Sequence, residues 1–369
     1  MTKICHVTSV HSSDDTRVFH KECVSLAKAG YDVWLVAPGE DREEKGVHVV
    51  GIGPKPRGTV NRLRANMGKK AYERALSLDA QIYHLHDPEL LPWALALARK
   101  GKRVIFDCHE FYERLIYERH YVPRWMRAPA ARVFRAYETH VFRRLDAVIT
   151  PCTLDGENVY EGRARRTVFI DNLPPVESFP GPGEYTRESE NTVGYVGGVT
   201  GARGITNLVM ACHAAGARLR LAGPVWHTYR DELEAMPEYE CVTYEGVLPY
   251  EEVPAFCRRI RVGMCVLRNI GQYACLDNLP TKVYEYMGSG LPVILSDTRP
   301  ARRLAEEYDC CVSVDPEDID GIAAAVRSLL DDPERARQMG ERGFRAVQEK
   351  YSWGNEEKKL LALYEELAE

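Results

Sequence analysis

What the chain lacks is informative first. No window approaches the roughly 18 consecutive apolar residues that a membrane-spanning helix needs, and the opening MTKICHVTSV carries no basic stretch followed by an apolar run and a cleavage site. A cytoplasmic protein is expected. The eleven cysteines include no Cys-x-x-Cys pair; Cys5, Cys23, Cys108, Cys152, Cys212 and Cys265 stand singly in apolar runs, and adjacent Cys310 and Cys311 are poorly placed for a simple disulfide. Reduced, mostly buried thiols are expected, which argues against a secreted disulfide framework and a zinc site. The first turn after the opening strand, His11–Arg17, has no glycine to admit a dinucleotide pyrophosphate, which argues against a dehydrogenase. There is no short internal repeat and no low-complexity tract.

What is present is an ordinary globular balance, 45% hydrophobic and 28% charged, over 369 residues. That length suits two domains of roughly 150–200 residues. The net charge of −5 hides an asymmetry: residues 1–180 carry 28 Lys/Arg against 23 Asp/Glu, residues 181–369 carry 21 against 31. A basic first half suits an anionic partner such as a lipid surface or a phosphorylated acceptor; a solvated basic face is the plainer alternative.

Strand and helix patterns alternate along the chain. Lys3–Val10 reads as a strand, Val18–Ala29 as a helix stopped by Gly30, and Tyr31–Ala37 as the next strand. The pattern continues through Val47–Ile52, a basic helix over Val60–Leu78, strand Gln81–His84, helix Leu90–Lys100, and strands Arg103–Asp107 and Ala147–Thr150. Asp171 to Asn191 is rich in proline, glycine and charge and reads as a connection. A second alternation runs from Thr192 to Ser296, with helices to the end. The expected fold is α/β: two tandem doubly wound Rossmann-like domains facing across a cleft. The expected divisions are a first domain over 1–175, a linker over 176–191, a second domain over 192–350 and a terminal helix over 351–369.

In such sheets ligands bind beyond the carboxyl ends of the strands. One candidate place is Gly194-Tyr-Val-Gly197-Gly198-Val-Thr-Gly201-Ala-Arg203-Gly204, where glycines bring amides close to a phosphate and Arg203 adds a bidentate charge. A tight packing turn is the other reading of this loop. A second is Asp277-Asn-Leu279-Pro280-Thr281-Lys282-Val-Tyr-Glu285, where a helix from about Thr281 sets Lys282 and Glu285 on one face near its start. A phosphate would use the amides and the ammonium, ribose hydroxyls the carboxylate; a surface Lys–Glu pair is the bland alternative. His109, after an apolar strand and before Glu110, stands at a sheet's carboxyl edge, where a neutral imidazole can position a hydroxyl. Asp87-Pro88-Glu89 reads equally as a helix N-cap and first turn. Between Phe111 and Arg144, aromatics including Trp125 interleave with arginines, which suits either an anionic membrane surface or a packed helical pair.

The string Pro-x-Lys-x-x-Glu-Tyr-Met-x-x-Gly-x-Pro-Val-Ile, from Pro280 to Ile294, resembles the donor-site signature of retaining glycosyltransferases of family 4, which are of the two-domain GT-B type. The His11–Arg17 loop, His84-Leu-His86-Asp87-Pro88-Glu89, Val104-Ile-Phe-Asp107-Cys-His109-Glu110 and Tyr351-Ser-Trp353 agree in order, so the resemblance covers almost the whole chain. It implies that Glu285 binds the donor ribose and that the Asp277–Thr281 loop, with Leu279, Pro280 and Thr281, surrounds the transferred sugar and diphosphate. It also implies that His109 stands beside that sugar and that the terminal helix crosses back to the first domain. Gly198 occupies the family's usual arginine place and Arg203 its usual lysine place, which leaves phosphate neutralisation to Arg203, Lys282 and Arg17. Asp277 replaces the common glutamate.

The implied catalytic residues are His109, Asp277 and Glu285, with His11, Asp15, Arg17, Asp87 and Glu110 on the acceptor side. The implied reaction moves a sugar, with retention, from a nucleotide-diphosphate sugar such as a UDP-sugar to a glycan or polyprenyl-linked acceptor. The setting would be surface polysaccharide assembly, with peripheral attachment to the inner face of a membrane. No cofactor and no metal are expected, because no Asp-x-Asp string follows a predicted strand and no His/Cys ligand spacing occurs; no nucleic-acid partner is expected. The rival readings are a nucleotide-sugar epimerase of the same plan and a non-catalytic sugar-nucleotide-binding protein.

Overall fold

The structure is a computed structural model that describes residues 1–56, 61, 65–119, 122–179, 181–183 and 190–369. The chain divides into two compact units, Met1–Asn172 with Asn355–Glu369, and Leu173–Gly354.

The first unit is built on an eight-stranded sheet in the order β3-β4-β2-β1-β5-β6-β7-β8. Its strands are β1 (Lys3–Val7), β2 (Asp32–Ala37), β3 (Arg42–Glu44), β4 (Val47–Gly51), β5 (Ile82–Leu85), β6 (Arg103–Asp107), β7 (Ala147–Thr150) and β8 (Thr167–Phe169). All pairings are parallel except β3 with β4. β5 and β7 are buried along their whole length, as parallel strands covered on both faces require. The helices are α1 (Val24–Lys28), α2 (Met67–Ser77), α3 (Leu91–Arg99), α4 (Tyr112–Glu118) and α5 (Arg124–Phe142). The expected Val60–Leu78 helix is α2 where described; residues 60 and 62–64 lie outside the described residues. The strand order reverses at β1, which lies between β2 and β5, so the loops after β1 and β5 flank the point where such sheets hold ligands.

The second unit has a six-stranded parallel sheet, β11-β10-β9-β12-β13-β14. The strands are β9 (Thr192–Val196), β10 (Arg218–Ala222), β11 (Val242–Tyr244), β12 (Val262–Cys265), β13 (Val293–Ser296) and β14 (Cys311–Val314). Its helices are α6 (Ile205–Ala215), α7 (His227–Glu234), α8 (Val253–Cys257), α9 (Thr281–Gly288), α10 (Arg299–Tyr308), α11 (Ile319–Leu330) and α12 (Pro333–Glu349). Successive residues of a strand face opposite sides, and the sheet accordingly divides two cores: Ile294 packs with α6 and α11, while Val293 and Leu295 pack with α8, α9 and α10. The last helix, α13 (Trp353–Ala368), belongs to the first unit from Asn355 onward. There Tyr364 is fully buried.

The structure departs from the sequence expectation at several boundaries. The chain leaves the first unit at Leu173, and both Leu173 and Phe179 are buried in the second unit's core. The described part of the 176–191 segment therefore carries core residues, and 180 and 184–189 lie outside the described residues. The first helical segment starts at Thr16 rather than Val18, because Asp15 caps it by accepting from the amides of Arg17 and Val18.

Candidate functional site

In the second unit the candidate residues gather at the carboxyl end of β9, beside β12 where the strand order reverses. Tyr195 of β9 is fully buried, and its hydroxyl donates to the carbonyl of Gly198 at 2.9 Å. The Lys282 ammonium lies 3.6 Å from the centre of the Tyr195 ring. Lys282 Nζ is buried and has no hydrogen-bond partner, and the residue is 7% exposed. Burial, with Arg203 nearby, outweighs Cys265 and Glu285 and lowers its pKa to about 7.

Gly197 makes this arrangement possible: with φ at +128°, a Cβ there would lie 2.5 Å from Lys282 Nζ. Gly204, at φ +72°, admits the carbonyl of Val266 where a Cβ would stand 2.0 Å from it. That close approach seats the Gly201–Arg203 turn against the end of β12. Arg203 is half-buried, and its Nε is 3.5 Å from the Cβ position of Gly198. Two cations and a glycine-lined backbone thus converge with no carboxylate bound to the ammonium, a chemistry that selects an anion.

α9 is a core helix rather than a surface one. Lys282 through Gly288 are all buried, and the Tyr286 hydroxyl accepts the amide of Val196 at 2.8 Å. The bland reading of Lys282 and Glu285 as an exposed pair is therefore wrong: Glu285 is 8% exposed. The Leu279 side chain packs into the core, leaving its backbone for any ligand, and Pro280 precedes the first turn of α9, which Thr281 opens. Asp277 pairs with Arg299 at the start of α10, a partner the sequence reading missed.

The first unit holds a different assembly around Asp107, which ends β6. Arg17 grips this carboxylate with two hydrogen bonds, Nε to Oδ2 at 3.0 Å and Nη2 to Oδ1 at 3.1 Å, and also donates to the carbonyl of Ile170. Thr16–Cys23 is π-helical, so residues five apart share a face, and Arg17 and Glu22 both turn inward, 3.0 Å apart. Burial and the Asp107 carboxylate push Glu22 well above the usual carboxylate range, against the pull of Arg17. The expectation that Arg17 neutralises a phosphate is corrected: its side chain is 5% exposed and its charge is committed to Asp107.

Histidines extend inward from the same point. His109 Nε2 lies 3.1 Å from His86 Nδ1, His86 Nε2 lies 3.0 Å from His6 Nδ1, and His6 Nε2 lies 3.1 Å from the Tyr364 hydroxyl. That hydroxyl lies 2.8 Å from His84 Nδ1. His6, Glu22, His84 and His86, and likewise His86, Asp107 and His109, place ligand atoms within 4.8 Å of one another, near enough to share a metal ion. Each ring nitrogen in the first group except His84 Nε2 is already within hydrogen-bond distance of another side chain. Burial, with His86, His11 and Arg17 and against Asp107, lowers His109 to about 3, so its ring is neutral.

Comparison with known proteins agrees with this architecture. Residues 15–172 match the model of Glycosyltransferase Family 4, and residues 206–362 match that of Glycosyl transferase-like domains. A GDP-mannose-dependent alpha-(1-6)-phosphatidylinositol monomannoside mannosyltransferase of Mycolicibacterium smegmatis is 28% identical over 131 residues, 36% of this chain and 34% of that protein. The segments aligned with the curated relatives span only 24% and 34% of those relatives' lengths. Among solved structures, sucrose-phosphate synthase of Thermosynechococcus elongatus superposes with a TM-score of 0.79 at 18% identity, covering 100% of this chain and 99% of that one. Anabaena HepE in complex with UDP and glucose superposes at 0.69 and 11% identity, covering 99% and 100%. The chain belongs to the family 4 type of glycosyltransferases.

Within this family 4 chain the acceptor-side candidates separate. Asp87 is buried and does not cap the turn that follows it. Its Oδ2 instead accepts from Thr8 Oγ1 at 2.8 Å and from the amides of Ser9 and Val10 at 2.7 and 3.1 Å, which pins the loop after β1. Asp15 is the helix cap and holds His11 Nδ1 at 2.9 Å. Burial pushes Asp15 up, but that bond and the Val18 amide outweigh it and hold the carboxyl well below the usual range. The same contact, with Asp87 and against burial, raises His11. The His11 ring stacks on His109 at 4.6 Å, and Glu110 is exposed. Glu22, His6 and Tyr364 were not singled out from the sequence, and Asp107, His84 and His86 stood there only as members of the family strings; the alternation His84-Leu-His86 at the end of a buried strand was the available signal.

Proposed function

We propose that this chain transfers a glycosyl group from a nucleoside diphosphate sugar to an acceptor hydroxyl, with retention and without a metal. The observation that carries the reading is the buried Lys282 ammonium, which has no hydrogen-bond partner, set beside Gly197, Gly198 and Arg203. A diphosphate would supply the missing negative charge. As the bond from the anomeric carbon to the leaving phosphate oxygen breaks, charge grows on that oxygen, and Lys282, Arg203 and the loop amides stabilise it. Glu285, on the same buried helix, is assigned to the donor ribose, and His109 to the transferred sugar, both by the family resemblance. The metal-independent reading is supported by Lys282 and Arg203, two cations beside the glycine-lined loop that would do for a diphosphate what a metal does elsewhere.

The nucleotide is tested rather than assumed, since one relative is named for GDP-mannose and a structural neighbour was solved with UDP. A thermal-shift screen with UDP, GDP and their sugars decides it: a ligand at 100 times its Kd stabilises by about 2.7 kcal/mol. Absence of any shift across the series would remove the donor site. Product analysis by NMR would then read the anomeric configuration and whether a free nucleotide sugar is merely epimerised.

For the acceptor we favour a lipid-linked glycan presented at an anionic membrane. No helix among the described residues is long and apolar enough to cross a bilayer. α5, however, exposes Met126, Val133 and Tyr137 at positions i, i+7 and i+11, with Trp125 beside them 78% exposed, and interleaves them with Arg124, Arg127, Arg132 and Arg135. Sedimentation with phosphatidylcholine vesicles, with and without an anionic lipid, tests this. Binding that needs the anionic lipid and is lost in Trp125→Ala supports it; equal binding by both proteins contradicts it.

A further inference from the structure

The histidine chain has a direction, and the direction fixes how His109 meets a ligand. It runs His109 Nε2, His86, His6, Tyr364 hydroxyl, His84, with every link between 2.8 and 3.1 Å. His6, His84 and His86 are wholly buried. Burial, reinforced by His86, holds His6 and His84 well below the usual imidazole range, so these rings are neutral, each with one N–H and one bare nitrogen.

A ring with a single N–H that donates through one nitrogen must accept through the other, so with one ring proton on each of His6, His84 and His86, choosing the proton at one link sets every other link. Two arrangements remain. In one, protons point toward His109: His84 Nδ1–H to Tyr364, Tyr364 O–H to His6 Nε2, His6 Nδ1–H to His86 Nε2, and His86 Nδ1–H to His109 Nε2. In the other, all are reversed. Asp107 does not discriminate, since its Oδ2 lies 3.6 Å from His86 Nδ1 and 3.5 Å from His109 Nε2. The far end does. His84 Nε2 is buried without a partner, so the reversed chain would strand an N–H there, whereas the forward chain strands only a bare nitrogen. Orphaned buried donors are the rarer and costlier case.

We propose that His86 is a positioning residue that donates its Nδ1–H to His109 Nε2 and so locks His109 as the Nδ1–H tautomer, with His84 at the buried end setting the direction and Tyr364 of the last helix relaying it. His109 then serves as a hydrogen-bond donor through Nδ1 and not as a base through Nε2. This rests on the reading that His109 takes part in the transfer.

The test uses the full-length enzyme with ring-15N-labelled histidine, His109 being assigned by the signal lost in His109→Gln. Long-range proton–nitrogen correlations identify the protonated ring nitrogen. A single Nδ1–H form of His109 in the wild type is expected, and an Nε2–H form overturns the proposal whatever the variants do. In His86→Leu the donor is gone; His109 should shift toward Nε2–H, with kcat down at least about tenfold and donor KM unchanged. His86→Asn, whose side-chain amide can replace Nδ1–H, should restore the tautomer and most of kcat. A His109 tautomer unaltered by His86→Leu also overturns the proposal. If the tautomer responds as expected while turnover does not, the hydrogen-bond wiring stands and the reaction role of His109 falls.

Discussion

Replacing Lys282 with methionine should make the unliganded protein more stable. In the unfolded chain the amine has its ordinary pKa of 10.5, and in the folded protein burial lowers it to about 7. The difference, 10.5 minus 7, is about 3.5 units, and at 1.36 kcal/mol per unit the folded state is penalised by about 5 kcal/mol wherever both states are protonated. The sign follows from proton counts. Between pH 7 and 10.5 the unfolded chain holds a proton that the folded one lacks, so stability rises with pH across that window; below pH 7 the penalty is complete. Lys282→Met should therefore be more stable than wild type by about 5 kcal/mol at pH 6 and by about 2 kcal/mol at pH 9. Chemical denaturation of both proteins at the two pH values gives the difference directly. Saturating nucleoside diphosphate should narrow it, because only the wild type gains from the ligand. A variant less stable than wild type at pH 6, or a gap that does not change with pH, would refute the claim that the ammonium is buried without a counterion.

Further consequences can be checked together. Glu285→Gln removes the charge from a buried acceptor and should weaken donor binding by roughly 10- to 100-fold in a protein whose circular dichroism is unchanged; unaltered affinity would take Glu285 out of the ribose site. Gly204→Ala drives a Cβ to within 2.0 Å of the Val266 carbonyl at a positive φ and should cost about 3 kcal/mol or more, seen as a lower urea midpoint. Arg17→Met strands the Asp107 carboxylate in the core of the first unit, and a loss of about 3–5 kcal/mol is expected; a change under about 1 kcal/mol would mean that Asp107 is not held as an anion.

The regular strands were legible in the sequence because a parallel strand buried on both faces is a short apolar run: Ala147–Thr150 and Arg103–Asp107 coincide with β7 and β6. The edges were not. β3 is three charged residues paired only to β4, and β8 is likewise three residues long; neither carries a period long enough to recognise. Helix α10 opens on Arg-Pro and passed unnoticed. The motif from Pro280 to Ile294 located α9, yet its local pattern could not show whether Lys282 and Glu285 face water, since that depends on Tyr195 and Gly197 some 85 residues earlier in the chain. Contacts distant in sequence were wholly hidden: Arg17 with Asp107 is 90 residues apart, and His84 with Tyr364 is 280. Residues that look functional by type then turn out to hold the scaffold, as Asp15 and Asp87 do.

Calorimetric titration of the wild type with UDP and with GDP at pH 8, repeated in buffers of different ionisation enthalpy, tests the central claim most directly. An amine with a pKa near 7 is mostly unprotonated there, and a diphosphate beside it should restore the charge. Saturable binding by one of the nucleotides with uptake of close to one proton, lost in Lys282→Met, is the expected result. Binding without proton uptake, or no binding by either nucleotide to the folded protein, would contradict it.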